Sequence, residues 1–425
     1  MHTILKDWCK FATLGTTIAI TMFLCACGGS SSSGGGGGTP PPTGTSIAVT
    51  FGGSAPVAVA TQIGTDSWSA ASLSGSTLDF TLPDGTTTYG IAYVCSTTQS
   101  GVPLNQENII EATVQDGTTY QVNCAPAASS NGTDTGSVDA TAIPGTANIE
   151  VLGLSGYAVV SGNSGSFSLT TESGTQDVAF VALDSSNNTL AVHILPGQTV
   201  PGAINNGATV SFLATDVVTP QTISVTGVPA GFTGGTQASY VTANGTYIGL
   251  TTSTAGQYPT LPTSTQLQTG DYYIIDGYAS ESATFQGVDY TTTTTTPGAL
   301  TVTLPAALTT GAPTPAALPS FDVSYSGFSG LADVADYGSI AWFNSAPTTE
   351  IIIEVTATSA YQNGATTLAI PDLSVISGFL ASPVSGTTVY WGDGALGGTY
   401  QSYTQQPTSG TLSSAYYNND TFVVP

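Results

Sequence analysis

The sequence predicts an all-β protein built from tandem antiparallel β-sandwiches. Three observations carry that prediction. No segment sustains a 3.6-residue apolar period. Short runs rich in Val, Ile, Thr, Tyr and Phe recur along the chain. Gly, Pro, Asn-Gly and Asp-Gly interrupt them at the spacing that strand-to-strand turns require. Ser46-Ile-Ala-Val-Thr-Phe51, Ala147-Asn-Ile-Glu-Val-Leu152, Thr222-Ile-Ser-Val-Thr226 and Ile351-Ile-Ile-Glu-Val-Thr-Ala357 are four such runs.

A weak internal repeat supports tandem modules. A glycine turn precedes an apolar alternating run at Gly85, at Gly174 and at Gly270. The interval is roughly 90 residues, about the size of one sandwich. Composition then divides the chain. Residues 45–126, 134–218 and 219–305 read as three sandwich modules, and 320–425 as a C-terminal β-domain rich in aromatics. The Pro/Ala/Thr-rich stretch 306–319 reads as a linker, and 125–133 as a join.

Charge narrows function sharply. The 425-residue chain has two basic residues, Lys6 and Lys10, and 26 acidic ones. Phosphate recognition uses Lys or Arg, and nucleic-acid binding uses a basic footprint. Beyond Lys10 neither is available, so nucleotide-driven and nucleic-acid functions are excluded as partners of the body. No Lys or Arg ion pair holds the fold, and apolar burial with backbone hydrogen bonding must do so. Below the carboxylate range such a chain approaches zero charge instead of becoming cationic, which points to acid tolerance.

The two lysines precede the apolar run Phe11–Leu24, too short for a bilayer span, in the order of an export signal. The run ends in Leu24-Cys25-Ala26-Cys27. This resembles the lipobox of bacterial lipoproteins, with Leu24 and Ala26 at the defining positions before Cys27. The resemblance implies a signal peptide over 1–26 and a mature chain that starts at a lipid-bearing Cys27. It also implies a membrane partner reached through acyl chains, which anchor stably when several are present. Gly28 after the cysteine favours the bacterial outer membrane by analogy with that family. Residues 27–44 follow as a flexible Gly/Ser/Pro tether. Thr269-Gly-Asp-Tyr-Tyr-Ile274 is similar to a strand of carboxypeptidase-regulatory-type and other Ig-like modules, which implies Ig-like sandwiches for the body.

With Cys9 and Cys25 in the signal and Cys27 lipidated, Cys95 and Cys124 remain. Alternation places Cys95 in phase with Ile91 and Tyr93, and Cys124 in phase with Tyr120 and Val122. In an exported module this pair reads as a disulfide. Two buried free thiols are the competing reading.

Little points to catalysis. His193 is the only histidine beyond the signal and sits in the apolar run Leu190-Ala-Val-His-Ile-Leu195, where packing or edge capping is its expected role. There is no G-x-S-x-G elbow and no zinc ligand set. Calcium is the one metal that the carboxylates and carbonyls could serve. Asp271 with Asp276, Asp333 with Asp336, and Asp393 are the nearest clusters. The aromatic pairs Tyr390-Trp391 and Tyr416-Tyr417 should each send one ring inward and one outward. Trp391, Asp393, Tyr417 and Asp420 therefore form the candidate ligand-binding set, with a ring to stack a sugar and polar groups to bond its hydroxyls. The expected function is structural or adhesive, with a glycan or an envelope protein as partner. The alternatives are a carbohydrate-binding lipoprotein and an enzyme using a carboxylate pair.

Overall fold

Alternating side chains along a strand let one face bury apolar groups, and the runs named above all become strands. The computed structural model describes residues 44–99, 102–125, 131–254, 256–262, 267–282, 286–308, 311–328, 331–345, 348–398 and 410–425. The segments expected as signal and tether, with Cys27 between them, lie outside these residues except for Gly44. The fold is all-β.

Four consecutive units share one strand order. The first contains β1 (Gly44–Gly53), β2 (Ala58–Ile63), β3 (Ser69–Ala70), β4 (Thr77–Pro83), β5 (Thr88–Gln99), β6 (Val102–Thr113) and β7 (Thr119–Ala125). Its three-stranded sheet runs β4-β1-β7, with β1 and β7 parallel, and its other strands follow the order β3-β2-β5-β6. The second contains β8 (Asn131–Asp139), β9 (Asn148–Leu152), β10 (Tyr157–Ser161), β11 (Ser164–Glu172), β12 (Gly174–Leu183), β13 (Thr189–Val200) and β14 (Val210–Ser211). Here the orders are β11-β8-β14 and β10-β9-β12-β13.

The third contains β15 (Thr219–Thr226), β16 (Thr233–Val241), β17 (Tyr247–Leu250), β18 (Gln257–Thr260), β19 (Tyr272–Glu281), β20 (Gln286–Thr294) and β21 (Leu300–Thr303). Its orders are β18-β15-β21 and β17-β16-β19-β20. The fourth contains β22 (Ser320–Asp322), β23 (Ala332–Ser345), β24 (Thr348–Thr358), the one-turn helix α1 (Ser359–Gln362), β25 (Thr367–Ala369), β26 (Thr388–Gly398) and β27 (Gly410–Val423). It repeats the pattern as β25-β22 and β24-β23-β26-β27, without a seventh strand among the described residues.

The fifth strand of each unit is β5, β12, β19 or β26. A glycine with positive φ introduces each: Gly85 at +85°, Gly174 at +133°, Gly270 at +103° and Gly386 at +85°. Glycine is the residue that takes this backbone region without a Cβ clash. The sequence repeat marked the first three of these turns. The fourth escaped it because unit 4 carries longer connections and stretches the interval.

The units do not hang as separate beads. The four-stranded sheets of units 3, 4 and 1 join edge to edge into one 12-stranded sheet. β20 pairs antiparallel with β27, from Gln286↔Tyr417 to Thr293↔Gly410. β24 pairs parallel with β6, from Glu350↔Leu104 to Ala357↔Glu111. Along β5, Ile91, Tyr93 and Cys95 face the core of unit 1, while Ala92 and Val94 face the core of unit 4. These two cores therefore sit on opposite faces of the long sheet.

Unit 2 attaches by a face. Val178, Phe180 and Ala182 of β12 enter its own core, and Ala179, Val181 and Leu183 enter the cluster centred on unit 3. Thr189 N–H donates to Thr251 O at 2.9 Å across the same junction. The segment expected as a linker also touches the body. Leu308 is buried with unit 3, Ala317 and Leu318 pack on the core of unit 4, and Tyr325 Oη donates to Ala306 O at 2.6 Å.

Cys95 and Cys124 form a disulfide with Cα atoms 4.9 Å apart. It ties β5 to β7 and so links the two sheets of unit 1. In the same core Tyr89 and Tyr120 meet hydroxyl to hydroxyl, and Tyr89 Oη donates to Gly117 O at 2.6 Å.

Candidate functional site

Strand register brings the four proposed ligand-binding residues onto two neighbouring strands. Trp391 lies opposite Asp420, and Asp393 opposite Tyr417, with a bulge between. Burial then separates them. Trp391 is 3 % exposed and belongs to the core of unit 4 with Ile340, Phe321 and Val389. Its ring is therefore not a stacking surface. The inward member of the pair is Trp391 and the outward one is Tyr390, because Ile340 opposite Trp391 also points inward. Asp393 is buried on the same inward face, while Asp420 is exposed and accepts from Thr421 N–H at 2.7 Å. The side chain of Tyr417 lies outside the described residues.

Of the carboxylates considered for calcium, Asp271 is occupied as a turn acceptor. It takes Gln268 N–H at 2.8 Å, Ala243 N–H at 2.6 Å and the Tyr240 hydroxyl. Asp276 accepts from Thr291 Oγ1 at 2.6 Å. Among the described residues no three His, Cys, Asp or Glu side chains gather as a metal set. His193 caps an edge. Its Nδ1 lies 2.9 Å from Asp216 Oδ2, which also accepts Leu213 N–H at 2.8 Å.

A different group assembles across the long sheet. Registers from β19 to β6 place Asp276, Asp289, Tyr416, Tyr337 and Glu354 on one face, the face that carries the core of unit 1 farther along. Each is half-buried. Tyr416 hydrogen-bonds to Asp289 across the seam between units 3 and 4. Gln106 Nε2 reaches Glu354 Oε2 at 3.5 Å across the seam between units 4 and 1. The tyrosines extend over glycines of the adjacent strand, Tyr416 over Gly287 and Tyr337 over Gly394. A Cβ at either glycine would fall within 3 Å of ring atoms, so these strands need glycine for the rings to lie down.

No Lys or Arg side chain occurs among the described residues to neutralise this row, and burial shifts its acids. Burial pushes Asp289 up to about 7, with the neighbouring Asp276 charge adding to the effect and the Tyr416 and Ser414 hydrogen bonds opposing it. Burial raises Asp276 to about 6 and raises Glu354 as well. Tyr337 is raised well above the phenol range, by burial first and then by Tyr416 and nearby carboxylates.

On the opposite face the same seam holds Glu107, 1 % exposed, whose Oε2 accepts Leu380 N–H at 3.0 Å. Burial raises it to about 7. Glu111, bonded to Tyr361, is likewise pushed up to about 7 by burial. Asp116 Oδ2 accepts Thr358 Oγ1 at 2.6 Å and so crosses from unit 1 to unit 4.

Chemically these groups hold protons near neutrality and accept hydrogen bonds from hydroxyls. Sequence reading singled out Asp276 and the Tyr416-Tyr417 pair but missed Asp289, Tyr337 and Glu354. They are far apart in the chain and meet only through edge pairing. Their one local signal is a polar residue on the outward phase of an otherwise apolar run, as at Glu354 in Ile351-Ile-Ile-Glu-Val.

Comparison of the chain with protein-family profiles, curated proteins and solved structures finds no match.

Proposed function

We propose that this chain is a lipid-anchored protein of the bacterial outer membrane, with a structural or adhesive role and no catalytic one. Cys27 carries the anchor in this reading, and the Gly/Ser/Pro segment sets the body off the membrane. One observation supports it most: units 3, 4 and 1 share a single 12-stranded sheet, and unit 2 packs against unit 3 by an apolar face. A body joined in this way transmits load and holds its surfaces at fixed spacing, since each seam is a ladder of many backbone hydrogen bonds. A body bearing fixed negative charge and no positive charge also stays apart from anionic lipid head groups.

The reading is tested on cells. Proteinase K is added to intact cells, because trypsin finds no Lys or Arg beyond Lys10, and the C-terminal unit is followed by antibody. Loss of the signal, together with release of a Cys27→Ser variant from the membrane fraction, is the expected result. A body that stays in the cytosolic fraction, or membrane attachment that survives Cys27→Ser, overturns it.

A further inference from the structure

We propose that the open edge of β16 binds an extended segment of a partner protein in which basic and apolar residues alternate. The segment adds as a strand at the end of the 12-stranded sheet. The proposal deepens the adhesive reading by naming a partner class, and only its setting at the cell surface rests on that reading.

The edge is open because unit 2 diverts the chain. β17 runs antiparallel to β16 and covers it from Val241 back to Ala238. At the next residue the chain turns away. Thr251 N–H donates to Thr189 Oγ1 at 3.0 Å, its carbonyl accepts Thr189 N–H at 2.9 Å, and its hydroxyl donates to Asn187 O. Among the described residues no strand then covers Thr233–Gln237. In unit 4 the equivalent strand, β24, follows its neighbour from Ala335 to Ser345. Sheet edges are commonly blunted by proline, charge or a bulge. Thr233-Gly-Gly-Thr-Gln237 has no proline and no charge, and it pairs with β19 in unbroken register.

The two faces along this edge differ. Gly234, Thr236 and Ala238 share the inward face with Ala279. A cavity of about 530 Å³ lies on that side, with Ile223, Val225 and Leu250 in its lining. β18 pairs with β15 only over Thr219–Thr222, so the half that bears Ile223 and Val225 has no strand on that flank. Val228, against Gly234, is 42 % exposed. Gly235 and Gln237 share the outward face. Tyr278 lies over Gly235, where a Cβ would be 2.5 Å from its hydroxyl oxygen. Asp276 stands opposite Gln237, and no Lys or Arg among the described residues is there to pair with it.

A strand continuing the line of β17 sets successive residues opposite Gln237, Thr236, Gly235 and Gly234. Directly opposed residues share a face. Those opposite Thr236 and Gly234 point toward the cavity and Val228, which suits apolar side chains. Those opposite Gln237 and Gly235 lie beside Asp276 and the Tyr278 ring, which suits lysine or arginine through charge pairing and cation–π contact. The backbone ladder is of the kind that joins β20 to β27 and β24 to β6, so docking extends a mode of association the molecule already uses. A second copy of this chain is the competing occupant, but it brings no Lys or Arg beyond Lys10.

The test uses the purified full-length protein in detergent. Fluorescence anisotropy at physiological salt compares a labelled peptide of alternating lysine and valine with a block peptide of the same composition and with an alternating glutamate–valine peptide. The alternating basic peptide should bind at least tenfold more tightly than either control. N-methylation of one alternate set of its amides should abolish binding and of the other set should not, because only one set faces β16. Tyr278→Ala and Asp276→Asn should each weaken binding fivefold or more. Asp79→Asn, the same charge change at an exposed site of unit 1, should leave it unchanged. Unchanged thermal melting shows that each variant is folded. Four results overturn the proposal. The block peptide binds equally well, both N-methylated sets bind alike, or binding is indifferent to substitution of both Tyr278 and Asp276. In the fourth, the protein sediments as a dimer whose 233–237 amides are already protected from hydrogen exchange, which gives the edge to a second copy. None of these bears on anchoring, which the Cys27→Ser experiment reads separately.

Discussion

Units 2 and 3 have the same strand order, yet one ends its sheet and the other continues it. The difference lies in the sixth strand. In unit 3, β20 is an open edge that β27 occupies over eight residue pairs. In unit 2, the edge of β13 is already covered by the chain that leaves the unit. Ala191 bridges to Val217, Val218 N–H donates to Leu190 O at 3.0 Å, and His193 meets Asp216. His193, the one histidine of the chain besides His2, thus helps close an edge that would otherwise invite a neighbour. Topology alone does not decide whether a sandwich stands alone or merges; the cover on its edge strand does.

The largest test breaks a seam. Val355 lies mid-strand in β24, between β23 and β6. Val355→Pro removes a ladder hydrogen bond and forces the ring into a central strand, at a cost of about 3 kcal/mol or more. Chemical denaturation should show units 4 and 1 unfolding early, with unit 2 least affected. Coincident loss of all units would instead show that the face contact of unit 2 couples as strongly as the seams.

The disulfide comes next. It closes a 29-residue separation in unit 1 alone. Replacing both Cys95 and Cys124 by serine should cost roughly 3–4 kcal/mol on the chain-entropy argument. Denaturant midpoints with and without reductant measure this, and an unchanged midpoint would mean that the seam to unit 4 already restrains the loop.

Acidity should tighten the seams. Glu107 titrates near 7 in the fold and at about 4.5 when exposed. A raised folded value means that the ionised form is penalised. The penalty is fully present above about pH 7 and disappears as pH falls toward the unfolded value. For Glu107, with 1 % exposure, this amounts to about 3 kcal/mol. Glu111, Asp276 and Asp289 act in the same direction. Melting temperature should therefore rise from pH 8 to pH 5. Glu107→Gln should stabilise at pH 8 and leave pH 4 nearly unchanged. A melting temperature that falls on acidification refutes the assignment.

The smallest effect concerns the covered edge. Asp216→Asn weakens the contact with His193 and should cost about 1 kcal/mol. It should also raise the tendency of the chain to self-associate, read by sedimentation, if the cover on β13 is what keeps that edge unpaired.

Much of the fold was legible locally. Alternation placed Tyr89, Ile91 and Cys95 on one inward face, and Tyr120, Val122 and Cys124 on its counterpart, where the structure buries them. The glycine turns marked the fifth strands of units 1 to 3, because positive φ is a local demand that a sequence must satisfy locally. At Tyr390-Trp391 alternation gave opposite faces but not which face was inward. That depended on Ile340 of a strand some fifty positions earlier.

The sequence by itself determined the all-β class, the absence of any cationic site beyond Lys10, the pairing phase of the two cysteines, and strand faces as relative phases. These follow from composition and from a two-residue period. Only the tertiary structure decided that three units share one sheet, that Asp289 and Glu354 meet partners across the seams, and that short neighbours of β16 and β15 leave a cleft. Backbone edges carry no side-chain signature, so which edges meet, and what they gather between them, is settled when the units pack.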